Sequence, residues 1–299
     1  MQVVIGGASG FLGTHLAREL ESRGHHVTRL VRRSATGTDE SRWDPASGEV
    51  DQSMIESADV VVNLAGAPTA GNPHSQKWAT DLRESRVRST ATLAEAIAAS
   101  ERRPAFLAGN GISYYGDRGA DRLPETADSR GHALLTEVTR EWEAATEPAR
   151  AAGARVCVLR TAPVMDARSQ PLKLLRRLFR LGLGGRLGGG EQYFPMISLR
   201  DWVGAVCHLA EHDDASGPFN VCCPMTPTNS EFTRALGRAV GRPAVIPAPS
   251  FAIRLGAGDM SPELLGSRNA VPQALLDAGY EFRDEDVTAV LAAGLAQRS

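Results

Sequence analysis

Val3-Val4-Ile5-Gly6-Gly7-Ala8-Ser9-Gly10-Phe11-Leu12-Gly13 is the stretch on which the fold turns. Three β-branched residues predict a strand. Leu12, Leu16 and Leu20 then recur at helical spacing and predict a helix ending near Gly24. Between strand and helix sit Gly7, Gly10 and Gly13, spaced G-x-x-G-x-x-G. Glycines let the backbone turn tightly and approach a pyrophosphate, while the helix N-terminus offers free N–H groups and the positive end of its dipole. A glycine triplet alone is also compatible with a plain tight turn. Its place between a strand and an amphipathic helix points to a dinucleotide.

Outward from this loop, short apolar runs alternate with helical periodicity. His26 to Val31 reads as a second strand and Asp59 to Asn63 as a third, with Val60, Val61 and Val62 continuous. Continuous runs suit parallel strands covered on both faces. A helix is expected near Asp81 to Ser100, a strand at Ala105 to Gly109 and a helix from His132 to Ala152. Further strands are expected at Arg155 to Leu159 and Phe219 to Cys222. This order predicts an α/β protein with a doubly wound parallel sheet, a Rossmann fold. The pattern breaks down between Ala167 and Pro195 and again after Pro224, where prolines punctuate helical segments. The expected division is therefore a dinucleotide-binding domain, residues 1–165 and 196–222, and a smaller, mostly helical lobe, residues 166–195 and 223–299. Ligands of such sheets bind at the carboxyl edge, beneath that lobe.

The end of the second strand bears on cofactor choice. An acid there would accept hydrogen bonds from a ribose 2′-hydroxyl, but this strand ends Val31-Arg32-Arg33. Arginine suits a 2′-phosphate, so NADP(H) is expected, with Asp39 and Glu40 lying further along the loop. The competing reading of Arg32 and Arg33 is a solvated basic turn.

Composition narrows the function classes. Apolar residues make up 42% and charged residues 23% of 299, with a net charge of -2. No bulk attraction to nucleic acid or to an anionic membrane is expected from that balance. Cys157, Cys207, Cys222 and Cys223 lack C-x-x-C spacing and read as reduced thiols of a cytoplasmic protein. No apolar run approaches the ~18 residues that span a bilayer. His208 and His212 share a helix face with Glu211 between them, but no third zinc ligand is evident, so no metal is expected. Lys173, Arg176, Arg177, Arg180 and Arg186 interleave with leucines. That segment reads as a solvated helix face, as the roof of an anionic-substrate cleft, or as a membrane or partner surface.

The sequence resembles the extended short-chain dehydrogenase/reductase superfamily. Within it, the chain is similar to the atypical, epimerase-like NADP-binding group labelled sugar-nucleotide epimerase. The resemblance rests on Gly7 to Gly13, Asn63-Leu64-Ala65-Gly66, Ser85-Arg86, Tyr114-Tyr115-Gly116 and Trp142-Glu143. It continues through Phe179 to Gly185, Asp201-Trp202 and Thr228-Asn229-Ser230-Glu231-Phe232. It implies cofactor contacts at Gly7, Gly10, Phe11, Leu12, Leu64, Ala65, Gly66, Arg86 and Val164, alongside Arg32 and Arg33. It also implies a substrate that is a small polar molecule, free or nucleotide-linked. Most superfamily members use a serine and a Y-x-x-x-K pair, and this chain has no Y-x-x-x-K. The resemblance places Asn110 at the serine, Leu135 at the tyrosine and Thr139 at the lysine. Asn110 can orient a carbonyl but is no acid or base. Tyr115 and Tyr114 are the nearest phenols, with structural aromatics at a strand end as the alternative reading. An oxidoreductase or epimerase-like activity and a catalytically silent NADP-binding sensor both remain open.

Overall fold

The computed structural model describes residues 1–296; residues 297–299, the end of the expected C-terminal lobe, lie outside the described residues. The chain opens with β1 (Gln2–Gly6), α1 (Phe11–Ser22), β2 (His26–Val31), β3 (Glu40–Asp44), β4 (Glu49–Val50), α2 (Gln52–Ser57) and β5 (Val60–Asn63). There follow α3 (Gln76–Ala99), β6 (Ala105–Gly111), a 3-10 turn (Ile112–Tyr115), β7 (Arg122–Leu123), α4 (Leu134–Ala144), α5 (Glu147–Ala151) and β8 (Val156–Thr161). Beyond these lie β9 (Val164–Met165), α6 (Gln170–Arg180), β10 (Ile197–Ser198), α7 (Leu199–Glu211) and β11 (Gly217–Val221). The chain ends in α8 (Asn229–Ala239), α9 (Ser250–Ala257), α10 (Ser261–Leu265), β12 (Asn269–Ala270), α11 (Gln273–Asp277) and α12 (Val287–Ala296).

The main sheet has eight strands in the order β11-β8-β6-β5-β1-β2-β3-β4. All its pairings are parallel except β3 with β4. The doubly wound parallel sheet is therefore as expected. Successive side chains of a strand point to opposite faces, and both faces are covered. In β1, Val3 and Ile5 join one core with Leu16, Leu20 and Trp202, while Val4 joins a second with Leu30, Ile55 and Ile97. Each such fully buried aliphatic contributes about 1.5–3 kcal/mol. On α1 the buried positions are Gly13, Leu16, Ala17 and Leu20, one stripe at helical spacing.

Three expectations need correction. The β3–β4 hairpin was not anticipated. It is a short, charged edge element, yet Ser41 and Trp43 alternate inward as a strand requires. The long helix expected from His132 to Ala152 breaks into α4 and α5. Pro148 sits in the first turn of α5, where its missing N–H costs nothing, but it cannot continue a helix from α4. Arg155 also precedes β8, which extends to Thr161. A third core unites Leu172 and Phe179 of α6, Phe232 and Leu236 of α8 and Val290 and Leu291 of α12. The segment Thr228 to Phe232 starts α8 with a capping box: Thr228 and Glu231 each bond the other's backbone N–H.

Candidate functional site

The β1–α1 loop is built around close backbone approach. Gly7 has φ +80, and a Cβ there would lie 2.6 Å from the Leu64 carbonyl carbon. The loop is thus pressed against the end of β5. Gly10 precedes α1 without a side-chain cap, and the first turn carries no acid. The helix N-terminus consequently keeps free donors and its positive dipole end. Together these form a cradle for an anion.

A groove of about 1060 Å³ extends from this cradle. It passes over Arg32 and Arg33 to Trp43, Asp44, Pro45 and Ala46, and on its other side meets Leu64, Ala65 and Gly66. Asn63 holds the last of these in place. Its amide donates to Thr90 Oγ1 at 2.9 Å and its carbonyl accepts the Ala65 N–H at 3.1 Å. The Trp43–Ala46 wall was not foreseen from the sequence. The alternation of β3 was its only signal.

The two arginines differ. The Arg33 Nη1 donates to Glu40 Oε2 at 2.8 Å, and the Thr36 N–H reaches the same oxygen at 2.8 Å. The Arg33 guanidinium, with that amide, holds the Glu40 carboxyl down at about 2. Asp39 is engaged by Arg29 at 2.7 Å. Arg32 is exposed, lines the groove and makes no side-chain hydrogen bond or ion pair among the described residues.

Arg86 packs against Gly66, where an added Cβ would lie 3.2 Å from its Cγ. Its guanidinium donates to the Leu82 carbonyl at 3.0 Å and lies 5.2 Å from the Trp142 ring centroid. No acid pairs with it among the described residues, and burial brings its pKa down to about 10. A desolvated cation without a counter-charge is costly unless an anion joins it. The side chains of Phe11, Leu12 and Val164 are not in the groove wall. Phe11 lies against His15, Leu12 packs on the core, and Val164 is buried in the β9–β10 pair.

The expected chemical residues look inward. Asn110 is buried; its amide donates to the Thr139 carbonyl at 3.1 Å and its Oδ1 accepts the Gly111 N–H at 2.7 Å. Tyr115, one of the two candidate phenols, also faces the core. It is fully buried, its hydroxyl donates to Asn220 Oδ1 at 2.7 Å, and it accepts from Arg160 Nη1 at 2.9 Å. Burial pushes its pKa up to about 12. Arg160 is held in turn by both carboxylate oxygens of Glu143, at 3.1 and 3.0 Å, and stacks 3.6 Å over Tyr114. This is a core network at a strand end, the alternative the sequence left open. On α4, the Thr139 hydroxyl donates back to the Leu135 carbonyl at 2.8 Å. What sequence reasoning missed is Ser113, whose hydroxyl donates to Glu263 Oε2 at 2.6 Å, with Arg268 on the other oxygen at 3.0 Å. Nothing in the local sequence links residues 150 positions apart. His208 and His212 stack at 3.7 Å, and each ring bonds a backbone carbonyl.

The chain resembles known proteins along its whole length. The model of the NAD dependent epimerase/dehydratase family matches residues 3–222, and a domain of unknown function matches residues 248–293. An epimerase family protein of Mycobacterium leprae is 38% identical over 95% of this chain and 92% of its own. The epimerase family protein SDR39U1 of Bos taurus is 35% identical, over 97% and 98%. The crystal structure of human SDR39U1 with NADPH superposes with a TM-score of 0.88 at 30% identity, covering both chains fully. A nucleoside-diphosphate sugar epimerase from Corynebacterium glutamicum gives 0.81 at 31% identity, over 99% of this chain and 58% of that one. By motif, fold and match, the chain belongs to the NAD dependent epimerase/dehydratase family.

Proposed function

We propose that the groove binds NADPH, with the pyrophosphate at Gly7, Gly10 and the α1 N-terminus, and Arg32 on the 2′-phosphate. The single observation that carries this reading is the pairing at the end of β2. The acid that could answer a ribose hydroxyl, Glu40, is spent on Arg33, and Arg32 is left without a partner at the groove wall. Arg86, a half-buried cation packed directly against Gly66, adds positive charge behind the Leu64–Gly66 floor. Leu64, Ala65 and Gly66 form the floor, Phe11 and Leu12 follow the cradle at the start of α1, and Val164 lies toward the nicotinamide end. NADPH bound to the human relative supports the choice of cofactor. When bound, the cofactor supplies a nicotinamide that gives or takes hydride. The partner is a small polar or nucleotide-linked substrate seated between residues 1–165 with 196–222 and the lobe formed by 166–195 with 223–299.

Titration of NADPH fluorescence against Arg32→Asp and Arg33→Asp tests the assignment. The expected result is a loss of one to two decades in affinity at Arg32, from a charge-assisted bond worth roughly 1.5–3 kcal/mol, and a smaller loss at Arg33. Equal losses, or none, contradict it.

A second reading has its own observation. Leu135 and Thr139 cannot titrate in the useful range, Asn110 is internally satisfied and Tyr115 is sealed in the core. These favour a catalytically silent NADP-binding sensor over an enzyme. Substrate-dependent loss of NADPH absorbance across a panel of carbonyl compounds and sugar nucleotides separates the two.

A further inference from the structure

A net charge of -2 conceals an uneven distribution. Residues 169–195 and 228–254 together carry nine basic residues and two acids, in a chain whose totals are 33 and 35. The rest of the molecule is therefore net acidic. Among the described residues none of the nine, Lys173, Arg176, Arg177, Arg180, Arg186, Arg234, Arg238, Arg242 or Arg254, forms a side-chain hydrogen bond or ion pair. Elsewhere arginines are commonly paired, as Arg23, Arg29, Arg118 and Arg200 are.

These cations share their surface with large apolar side chains that face water. On α6, Leu172, Leu175 and Phe179 turn toward the third core, leaving two further stripes at helical spacing. Lys173, Arg177 and Arg180 form one, and Leu174, Leu178 and Leu181 the other. Leu181 is 74% exposed. The chain beyond α6 then runs beside the segment leading into α9. Ala248 accepts from and donates to this stretch at Gly188 and Arg186, and an added Cβ on Gly185 would strike the Ile246 carbonyl. That pairing brings the loop carrying Leu183 alongside the one carrying Val245 and Ile246, which leads into α9 with Phe251 and Leu255. Val245, Phe251 and Leu255 are each more than 70% exposed. Val245 also borders a groove of about 410 Å³ lined by Arg234, Arg238 and Arg242. Three neighbouring segments thus carry exposed apolar side chains together with cations that have no partner among the described residues.

We propose that this face of the lobe docks on an anionic lipid surface. The layout decides the partner. Three of the cations line one shallow groove, but the other six are spread over α6, the loop after it and α9 among apolar side chains. That suits a fluid array of phosphates over acyl chains, which needs no fixed geometry, better than the fixed carboxylates of a protein. Leucine, valine and phenylalanine enter the boundary between headgroups and acyl chains while arginine meets phosphate. No helix among the described residues is long and apolar enough to cross a membrane, so the association lies on the surface and is reversible. The cofactor groove is lined by other residues and stays free.

Flotation of the full chain with vesicles tests this. The probes are phosphatidylcholine alone and phosphatidylcholine containing phosphatidylglycerol. The expected result is partition onto the phosphatidylglycerol vesicles only, weakening as salt is raised. Arg177→Glu with Arg180→Glu should lower it about tenfold or more. Leu181→Ser with Leu183→Ser should lower it at low salt as well. All four positions are exposed, and unchanged thermal unfolding and NADPH affinity confirm that the variants fold. Absence of partition, equal partition onto neutral vesicles, or partition unaltered in both variants overturns the proposal. So does a doubling of solution mass that the leucine variant abolishes, because the face would then be covered by a second copy of the chain.

Discussion

The carboxyl ends of β1 and β2 and the carboxyl end of β6 are both places where a parallel sheet presents ligand-binding groups, and they are built in opposite ways. Around β1 and β2, polar groups are left open among the described residues: the α1 N-terminus has no side-chain cap, Arg32 has no partner and Arg86 is a half-buried cation without an acid. Around β6 they are closed on one another: Asn110 on Thr139 and Gly111, Tyr115 on Asn220 and Arg160, Arg160 on Glu143. Open donors in a concave site are available to a ligand, whereas closed networks stabilise the fold whether or not anything binds. The molecule has thus kept the machinery for holding a dinucleotide. The groups at the end of β6 are satisfied within the fold itself.

The contrast can be broken most severely at the cradle. Gly7→Val combines a left-handed backbone with a Cβ clash against the end of β5. It should cost about 2–4 kcal/mol of stability in urea unfolding and abolish NADPH binding. Retention of both would mean that the loop is not pressed against Leu64 as described.

Tyr115→Phe tests the other side. It strips Arg160 and Asn220 of a buried partner while adding no bulk. A loss of about 1–3 kcal/mol in unfolding free energy is expected, with NADPH affinity unchanged. Unaltered stability together with altered turnover would return Tyr115 to the role the sequence reading gave it.

The smallest effect concerns the hinge between the two arginines. Because the Glu40 pKa is lowered from 4.5 to about 2 in the folded chain, the pair stabilises the fold above the ordinary carboxylate range. That contribution is lost as pH falls from 4.5 toward 2. The Arg33 side of the pair is 57% exposed and screened by solvent, so the acid limb of the stability profile should flatten only slightly in Arg33→Gln. A profile that is identical in the variant would remove Glu40 as the acid that occupies Arg33.

Much of the cofactor half was legible because its signals are local. Val3 to Ile5, the glycine spacing, Val60 to Val62 and the Arg32-Arg33 pair each lie within a few residues of the feature they build. The β3–β4 hairpin was not legible, since Glu40-Ser41-Arg42-Trp43-Asp44 is too short and charged to stand out as a strand. Its burial depends on α3 and the sheet edge. Tyr115 misled for a different reason. A phenol just past a strand end reads alike whether it faces a cleft or the core, and only Asn220 and Arg160, far away in sequence, decide which. The Ser113–Glu263 contact was hidden in the same way.

The most direct measurement is calorimetric titration of the unmodified chain with NADPH and with NADH. If Arg32 alone meets the 2′-phosphate, NADPH binds tighter by about one to two decades, as one charge-assisted bond allows. Arg32→Asp should erase that preference. Equal affinities in the unmodified chain would contradict the account at its centre, because the open arginine at the end of β2 would then be a solvated turn and nothing more.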